Sequence, residues 1–291
     1  MNKVNYQNEM EKIIGRLESR PTLFRQSRPT LFLHSCCAPC SSYCMEYTRE
    51  HFDVTVFYYN PNISSEEEYI KRLEEEKRLI EAFNKQVETG NFVVIGSNVM
   101  NTAVGEVVLT NETSSKEPSN NAQNAAMNSE CSANDTSKAE STQNISLDDE
   151  RSANTTSNEG FLMNSTSRAT KIQIVEGDYL PQDFYDMAKG LEQCPEGGNR
   201  CFKCYELRLR ETFRVAKEQG FDYVASTLTI SPLKNAEKIN EIGFALAEEY
   251  GVSWLPCDFK KKNGYKRSIE LCKIFDLYRQ NFCGCVFSRR D

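Results

Sequence analysis

Seven of the twelve cysteines in this 291-residue chain fall into three tight groups. These are Cys36-Cys37-Ala38-Pro39-Cys40, Cys201-Phe202-Lys203-Cys204 and Cys283-Gly284-Cys285. Ionised thiols are both nucleophiles and soft metal ligands. On a helix, Cys201 and Cys204 stand at i and i+3 and share a face. The positive end of the helix dipole favours the thiolate form there. Cys36 and Cys37 would complete a set of four sulfur ligands. Structural zinc sites usually draw on two C-x2-4-C knuckles, which a vicinal pair matches poorly. Iron–sulfur clusters accept more varied spacings, so an iron–sulfur site is the first reading, zinc the second and a thiol-redox centre the third. A disulfide between Cys283 and Cys285 would close a small strained ring, the reducible kind. Two further metal ligands, or two idle thiols, are the alternatives. Cys44, Cys131, Cys194, Cys257 and Cys272 are scattered, as small buried hydrophobes are.

Other catalytic constellations are sparse. The chain has two histidines, His34 beside the first cysteine group and His51 in a polar turn, too few for a Ser-His-Asp triad or a His-rich zinc site. Neither a P-loop nor a G-x-G-x-x-G fingerprint is present. Candidates for positioning substrate or protons are Asp178, Tyr179 and Asp258, together with Tyr59 and Asn60, all near strand ends. Turn and cap work competes as their role. Lys234 could meet a phosphate near a helix start. Lys260, Lys261, Lys262, Lys266, Arg267, Arg279, Arg289 and Arg290 interleave with Phe259, Tyr265, Tyr278, Phe282 and Phe287. Charge alternating with stacking surfaces suits an unpaired RNA loop.

The elements that must position these groups alternate. Residues 30–34 (TLFLH) predict a strand feeding a turn, and residues 53–59 a second strand ending at Asn60-Pro61. Ser65 precedes a charged helix with Tyr69, Ile70, Leu73, Ile80 and Phe83 at helical spacing. Residues 92–95 and 172–175 are further strand candidates. Residues 201–219 predict an amphipathic helix stopped by Gly220, and residues 223–230 a strand. Ser231-Pro232 is expected to open a helix stopped by Gly251. A strand over 252–255 and a helix over 268–278 follow. This alternation predicts an α/β, Rossmann-like parallel sheet with helices on both faces, whose ligands sit beyond the carboxyl ends of the strands.

Asn, Ser and Thr make up 29 of residues 111–170, with Phe161 the one aromatic. Such a segment buries too little to offset its ordering entropy. The expected organisation is an N-terminal extension over 1–27, one α/β catalytic domain from 28–110 and 170–291, and a disordered polar insertion over 111–169. The insertion carries −5 of the net charge of −7, leaving −2 elsewhere. Residues 258–291 hold nine Lys+Arg against four Asp+Glu, a basic region that can bind an acidic polymer. No window approaches the roughly 18 apolar residues of a membrane span, and the polar start lacks a signal-peptide core. The expectation is therefore a cytoplasmic protein without membrane contact.

The blocks HSCCAPC, FYYNPNI, EGDY, GNRCFKC followed by RLR, TLTISPLKN, DFKKKNGYKRS and YRQNFCGCVFS, in this order, resemble the QueH family of epoxyqueuosine reductases. The resemblance covers roughly residues 28–100 and 170–290. It implies a Rossmann-like domain of the adenine-nucleotide alpha-hydrolase type. It also implies the last step of queuosine synthesis, in which the epoxide of epoxyqueuosine in the tRNA wobble nucleotide becomes an alkene. By resemblance, Cys36, Cys37, Cys201 and Cys204 hold a 4Fe–4S cluster, and Cys283 and Cys285 form a redox-active disulfide. Some relatives have Asp at the position matching Cys40, where an extra mononuclear iron is held. The implied partners are tRNA containing epoxyqueuosine and an electron donor of unknown identity. An iron–sulfur tRNA thiolation enzyme would instead need an S-G-G-x-D-S-type loop where His34-Ser35-Cys36-Cys37-Ala38 stands. A zinc-stabilised RNA-binding protein is the other alternative. The C-x2-C-x2-C-x3-C-P run of the cobalamin-dependent queuosine reductases is missing.

Overall fold

A computed structural model describes residues 4–19, 28–92 and 168–288. The apolar runs become five parallel strands: β1 (Thr30–Ser35), β2 (Asp53–Tyr58), β3 (Gln173–Glu176), β4 (Tyr223–Ser226) and β5 (Ser253–Trp254). Their spatial order is β3-β2-β1-β4-β5. The chain therefore reverses direction across the sheet between β1 and β4, and such a switch point opens a crevice beyond the strand ends.

Successive strand residues point to opposite faces, and the two faces have separate cores. Leu31, Leu33, Val54, Val56 and Ala225 pack on one side with Met45, Leu79 and Phe83. Phe32, Phe57 and Val224 pack on the other with Leu209, Phe213, Ile239 and Leu246. The first face is covered by α1 (Tyr6–Glu18), α2 (Ala38–Thr48), α3 (Glu66–Thr89) and α7 (Gly264–Ile274). The second is covered by α5 (Asn199–Gln219) and α6 (Ala236–Tyr250). The expected doubly covered α/β sheet is thus observed. α4 (Pro181–Ala188) packs beside α5, with Phe184 and Ala188 buried against Cys204.

Local sequence explains the helix ends. Ser65 caps α3 by accepting from Glu68 N, and Glu66, Glu67 and Glu68 complement the dipole in its first turn. Gly220 and Gly251 end α5 and α6 in the left-handed conformation, as expected of them.

Three boundaries differ from expectation. The strand begun at Tyr223 stops at Ser226, and Thr227–Ile230 is a 3-10 turn in which Ser226 Oγ accepts from Leu228 N. Ser231-Pro232 does not open α6, which starts at Ala236 with the Asn235 side chain as its cap. The last helix runs Gly264–Ile274, earlier than 268–278. Helices α1 and α2 lie where an extension and a turn are expected, and α4 lies in a stretch for which no element is predicted. In α1, Met10 and Ile14 are buried in the first core. The strand candidate over 92–95, the insertion over 111–169, Cys131 and the Arg289-Arg290 pair lie wholly or almost wholly outside the described residues. Among the described residues, no helix is long and apolar enough to cross a membrane.

Candidate active site

The crevice at the β1/β4 switch point is where the first cysteine group sits. β1 ends at Ser35, and α2 begins two residues after Cys36, with Pro39 in its first turn, where a missing N–H costs nothing. That abrupt strand-to-helix change folds Cys36, Cys37 and Cys40 together. Their sulfurs all lie within 4.8 Å of one another, a group that could hold a metal ion. Cys36 Sγ is 3.8 Å from Cys37 Sγ. The Cys36 amide donates to Thr227 Oγ1 at 3.4 Å, tying the group to the end of β4.

Hydrogen bonds from Cys37 and Cys40 hold the Cys36 thiol well below its usual range, with Arg208 adding to the effect. The same bonds to Cys36 push Cys37 and Cys40 upward. Gln280 Nε2 reaches Cys37 Sγ at 2.7 Å from the C-terminal segment.

Cys201 and Cys204 lie in the first turns of α5, as the i, i+3 spacing predicts. Gly197 N donates to Cys201 Sγ at 3.2 Å. Cys204 is buried, and burial pushes its thiol up to about 12. Both line a small cavity with Cys283, Cys285, Arg208 and Lys234. A larger, open cavity of about 320 Å³ is lined by Cys36, Cys40, Lys234, Tyr265, Arg279 and Cys283, among others. The two cavities share Lys234 and Cys283, so all three cysteine groups border one continuous neighbourhood. Cys201 and Cys204 are not part of the tight sulfur group formed by Cys36, Cys37 and Cys40.

The loop after β2 and the first turns of α3 anchor the C-terminal segment by its backbone. Arg72 Nη1 and Asn62 Nδ2 donate to the Cys283 carbonyl at 3.2 and 3.4 Å. Ser64 donates its N–H and its hydroxyl to the Gly284 carbonyl at 3.0 and 3.2 Å. On the other side of Cys283, Lys234 Nζ donates to its sulfur at 3.2 Å.

Cations dominate the surroundings of the sulfurs. Arg208 is 1% exposed and donates to Asn60 Oδ1 and to His34 Nε2. Burial lowers its pKa, but negative charge at Cys204, Cys36 and Cys283 raises it overall. A buried guanidinium beside sulfur donors fits an anionic group held by thiolates, because burying an unpaired charge is costly. Soft sulfur donors beside fixed positive charge are a donor set that could hold a thiophilic metal.

The acid–base candidates have structural work. Tyr59 stacks on Phe57, and its carbonyl lies 3.2 Å from His34 Nε2. Asn60 Nδ2 donates to the Ser35 carbonyl. Tyr179 stacks on Tyr69 and donates to the Ile63 carbonyl. Asp258 pairs with Lys260, and Asp178 is exposed. None of the five lines the larger cavity among the described residues. Lys234 does line it, but it donates to a sulfur, that of Cys283.

The basic C-terminal face is partly neutralised. Lys262 pairs with Glu11, and Arg267 with Glu46 and Glu270. Phe259 is buried, Tyr278 lies under Lys71, and Phe287 lies under Arg200. Tyr265 and Arg279 remain at the open cavity. Sequence reasoning missed Arg72, Arg208, Glu76 and Gln280, whose charged or polar type gave no signal of burial or of sulfur contact. Cys44 and Cys257 are buried, as expected of bystanders.

Comparison with known proteins bears on the chain as a whole. The family model described as "Epoxyqueuosine reductase QueH" matches residues 31–106 and 132–291. A protein of Streptococcus pyogenes serotype M1 named epoxyqueuosine reductase QueH is 31% identical over 288 residues, covering 99% of this chain and 79% of the relative. Proteins of the same name from Staphylococcus epidermidis and Staphylococcus aureus are 31% and 30% identical, covering 98% of this chain and 85% and 84% of the relatives.

Proposed function

The chain belongs to the epoxyqueuosine reductase QueH family and is an oxidoreductase, and on that premise we propose that it reduces epoxyqueuosine to queuosine in the wobble nucleotide of tRNA. The observation that carries the reading is the meeting of three cysteine groups at two adjoining cavities that share Lys234 and Cys283.

In this proposal Cys36, Cys37, Cys201 and Cys204 hold a 4Fe–4S cluster. Cys40, the third member of the tight sulfur group, would be a ligand of a second, mononuclear iron beside the cluster. A bound cluster supplies electrons one at a time. The overall reaction opens both C–O bonds of the epoxide, forms a C=C bond, and releases water on taking up two electrons and two protons. Closing Cys283 and Cys285 to a disulfide releases that same pair of electrons and protons.

The remaining roles belong to the chain's own side chains. The open cavity of about 320 Å³ is at the lower end of the range for small-molecule sites, which suits one extruded modified base rather than a duplex. Tyr265 and Arg279 line that cavity on the basic C-terminal side, where an RNA loop is expected to dock. Arg208 and Lys234 supply fixed positive charge beside the sulfurs, and Arg72 holds the Cys283 backbone in register.

The test is the metal content of protein purified without oxygen. Iron with acid-labile sulfide, lost when Cys37 or Cys204 is changed to Ser, supports the assignment. Zinc without sulfide would favour a zinc-stabilised RNA-binding scaffold instead.

A further inference from the structure

The two C-terminal cysteines are not equivalent. Cys283 is half-buried and lines both the larger cavity, open to solvent, and the smaller one beside it. Cys285 is 7% exposed, lines only the smaller cavity of the two, and packs against Phe184, Ala188 and Cys204. Backbone carbonyls of Cys283 and Gly284 are pinned by Arg72, Asn62 and Ser64. With the backbone fixed on that side, the Cys283 sulfur meets the Lys234 ammonium at 3.2 Å. Lys234 also borders a groove lined by Tyr6, Asn235 and Lys260.

We propose that Cys283 is the exchanging sulfur of the pair, that Cys285 is the resolving sulfur behind it, and that Lys234 is the positioning residue that holds Cys283 at the open cavity. The inference rests on the redox reading of the pair given above. It assigns a direction to the thiol chemistry. When the disulfide is reopened by an external dithiol, one thiolate of that reductant attacks Cys283 Sγ. The Cys283–Cys285 bond breaks, Cys285 leaves with the electron pair and takes a proton, and a mixed disulfide forms at Cys283. The second thiol of the reductant then attacks its own sulfur in that mixed disulfide. This releases Cys283 as a thiol and the reductant as a cyclic disulfide. Two electrons and two protons pass to the protein, and the reductant is oxidised by the same amount. The Lys234 ammonium makes a charge-assisted contact that holds the attacked sulfur in line, whereas the Cys285 sulfur is met by the Phe287 backbone.

The experiment uses iron-loaded protein without oxygen, where cluster sulfurs are protected by metal. Cys285→Ser and Cys283→Ser variants are exposed to oxidised glutathione, and the mixed disulfide is located by peptide mass spectrometry. The expected result is rapid capture at Cys283 in Cys285→Ser, with capture at Cys285 in Cys283→Ser slower by roughly tenfold or more. In an otherwise wild-type chain, Lys234→Met slows iodoacetamide labelling of Cys283 by roughly tenfold, Lys234→Arg restores it, and Cys285 labelling is unchanged. Equal capture at both sulfurs, capture at Cys285 first, or no capture at either would overturn the proposal. So would Lys234→Met labelling at the wild-type rate. If Lys234→Met does not fold, the order of capture in the two cysteine variants still decides. Labelling is read without turnover, so an intact turnover rate in the double Ser variant would sink the redox reading separately.

Discussion

His34 Nε2 lies 3.3 Å from Nε of Arg208, and both residues are shut off from solvent beneath the cysteine loop. Parallel pairing of β1 with β4 sets His34 opposite Ser226, whose hydroxyl is 2.9 Å from His34 Nδ1. Burial first, and the neighbouring guanidinium second, depress the His34 pKa to about 3. The ring is therefore a neutral hydrogen-bonding strut, not a proton carrier, and Arg208 keeps its charge for the sulfurs.

A pH signature follows from His34. In the unfolded chain its pKa returns to about 6.5, so between 6.5 and about 3 the unfolded state binds the extra proton. The stability tied to a neutral His34 is present above pH 6.5 and is lost as pH falls. Denaturant unfolding at pH 7 and pH 5 should show wild type losing about 2 kcal/mol more than His34→Asn over that interval. Parallel losses in the two proteins would contradict the buried, neutral ring.

Glu76 carries the opposite sign. It is fully buried on α3, and burial raises its carboxyl to about 8 despite the Ser41 and Ser35 hydroxyls nearby. Its folded pKa exceeds its unfolded value, so the folded state holds the extra proton and stability falls as pH rises from 4.5 to about 8. Glu76→Gln should gain about 3 kcal/mol on wild type between pH 5 and pH 8 in the same unfolding assay. A constant offset between the two across that range would contradict it.

Gly284 separates the two C-terminal cysteines at φ +105°, and a Cβ there would stand 2.9 Å from Ile63 Cγ1 and 3.2 Å from Arg72 Nη1. Ile63 is part of a buried cluster with Tyr58 and Tyr69 and has little room to give. Gly284→Ala should push the segment off its anchor, costing roughly 1 to 3 kcal/mol locally. Faster proteolysis near residue 284 with unchanged iron content is the expected reading. Wild-type protease resistance would mean the segment is not held there.

How much of this was legible beforehand depends on the kind of signal. Apolar β-branched runs announced β1 and β2, and Gly220 and Gly251 announced helix ends, because those are local effects. The Cys-Pro cluster after β1 was taken for a turn although Pro39 sits where proline starts helices, so α2 and the closeness of Cys40 to Cys36 went unseen. Arg208 and Glu76 occupy helices whose charged positions read as solvent-facing, yet both are buried. Only long-range packing turns them inward, and no spacing rule records that. Lys234 was expected at a phosphate and sits instead on Cys283, because the C-terminal segment folds back over the α6 entrance.

The buried cysteines should divide cleanly. Cys37→Ser and Cys204→Ser are expected to lose most bound iron. Cys44→Ala and Cys257→Ala, which remove thiols packed in the first core, should keep it at a cost of roughly 1 kcal/mol in stability. Iron per chain and thermal unfolding read both. Iron loss in Cys44→Ala or Cys257→Ala with the fold intact would place the centre elsewhere.

The most direct test incubates the iron-loaded protein, without oxygen, with tRNA containing epoxyqueuosine and a chemical reductant, and quantifies the digested nucleosides by mass spectrometry. The account predicts queuosine, formed with wild-type protein and lost on removal of iron. An iron-loaded, reducible protein that leaves the epoxide untouched would contradict it.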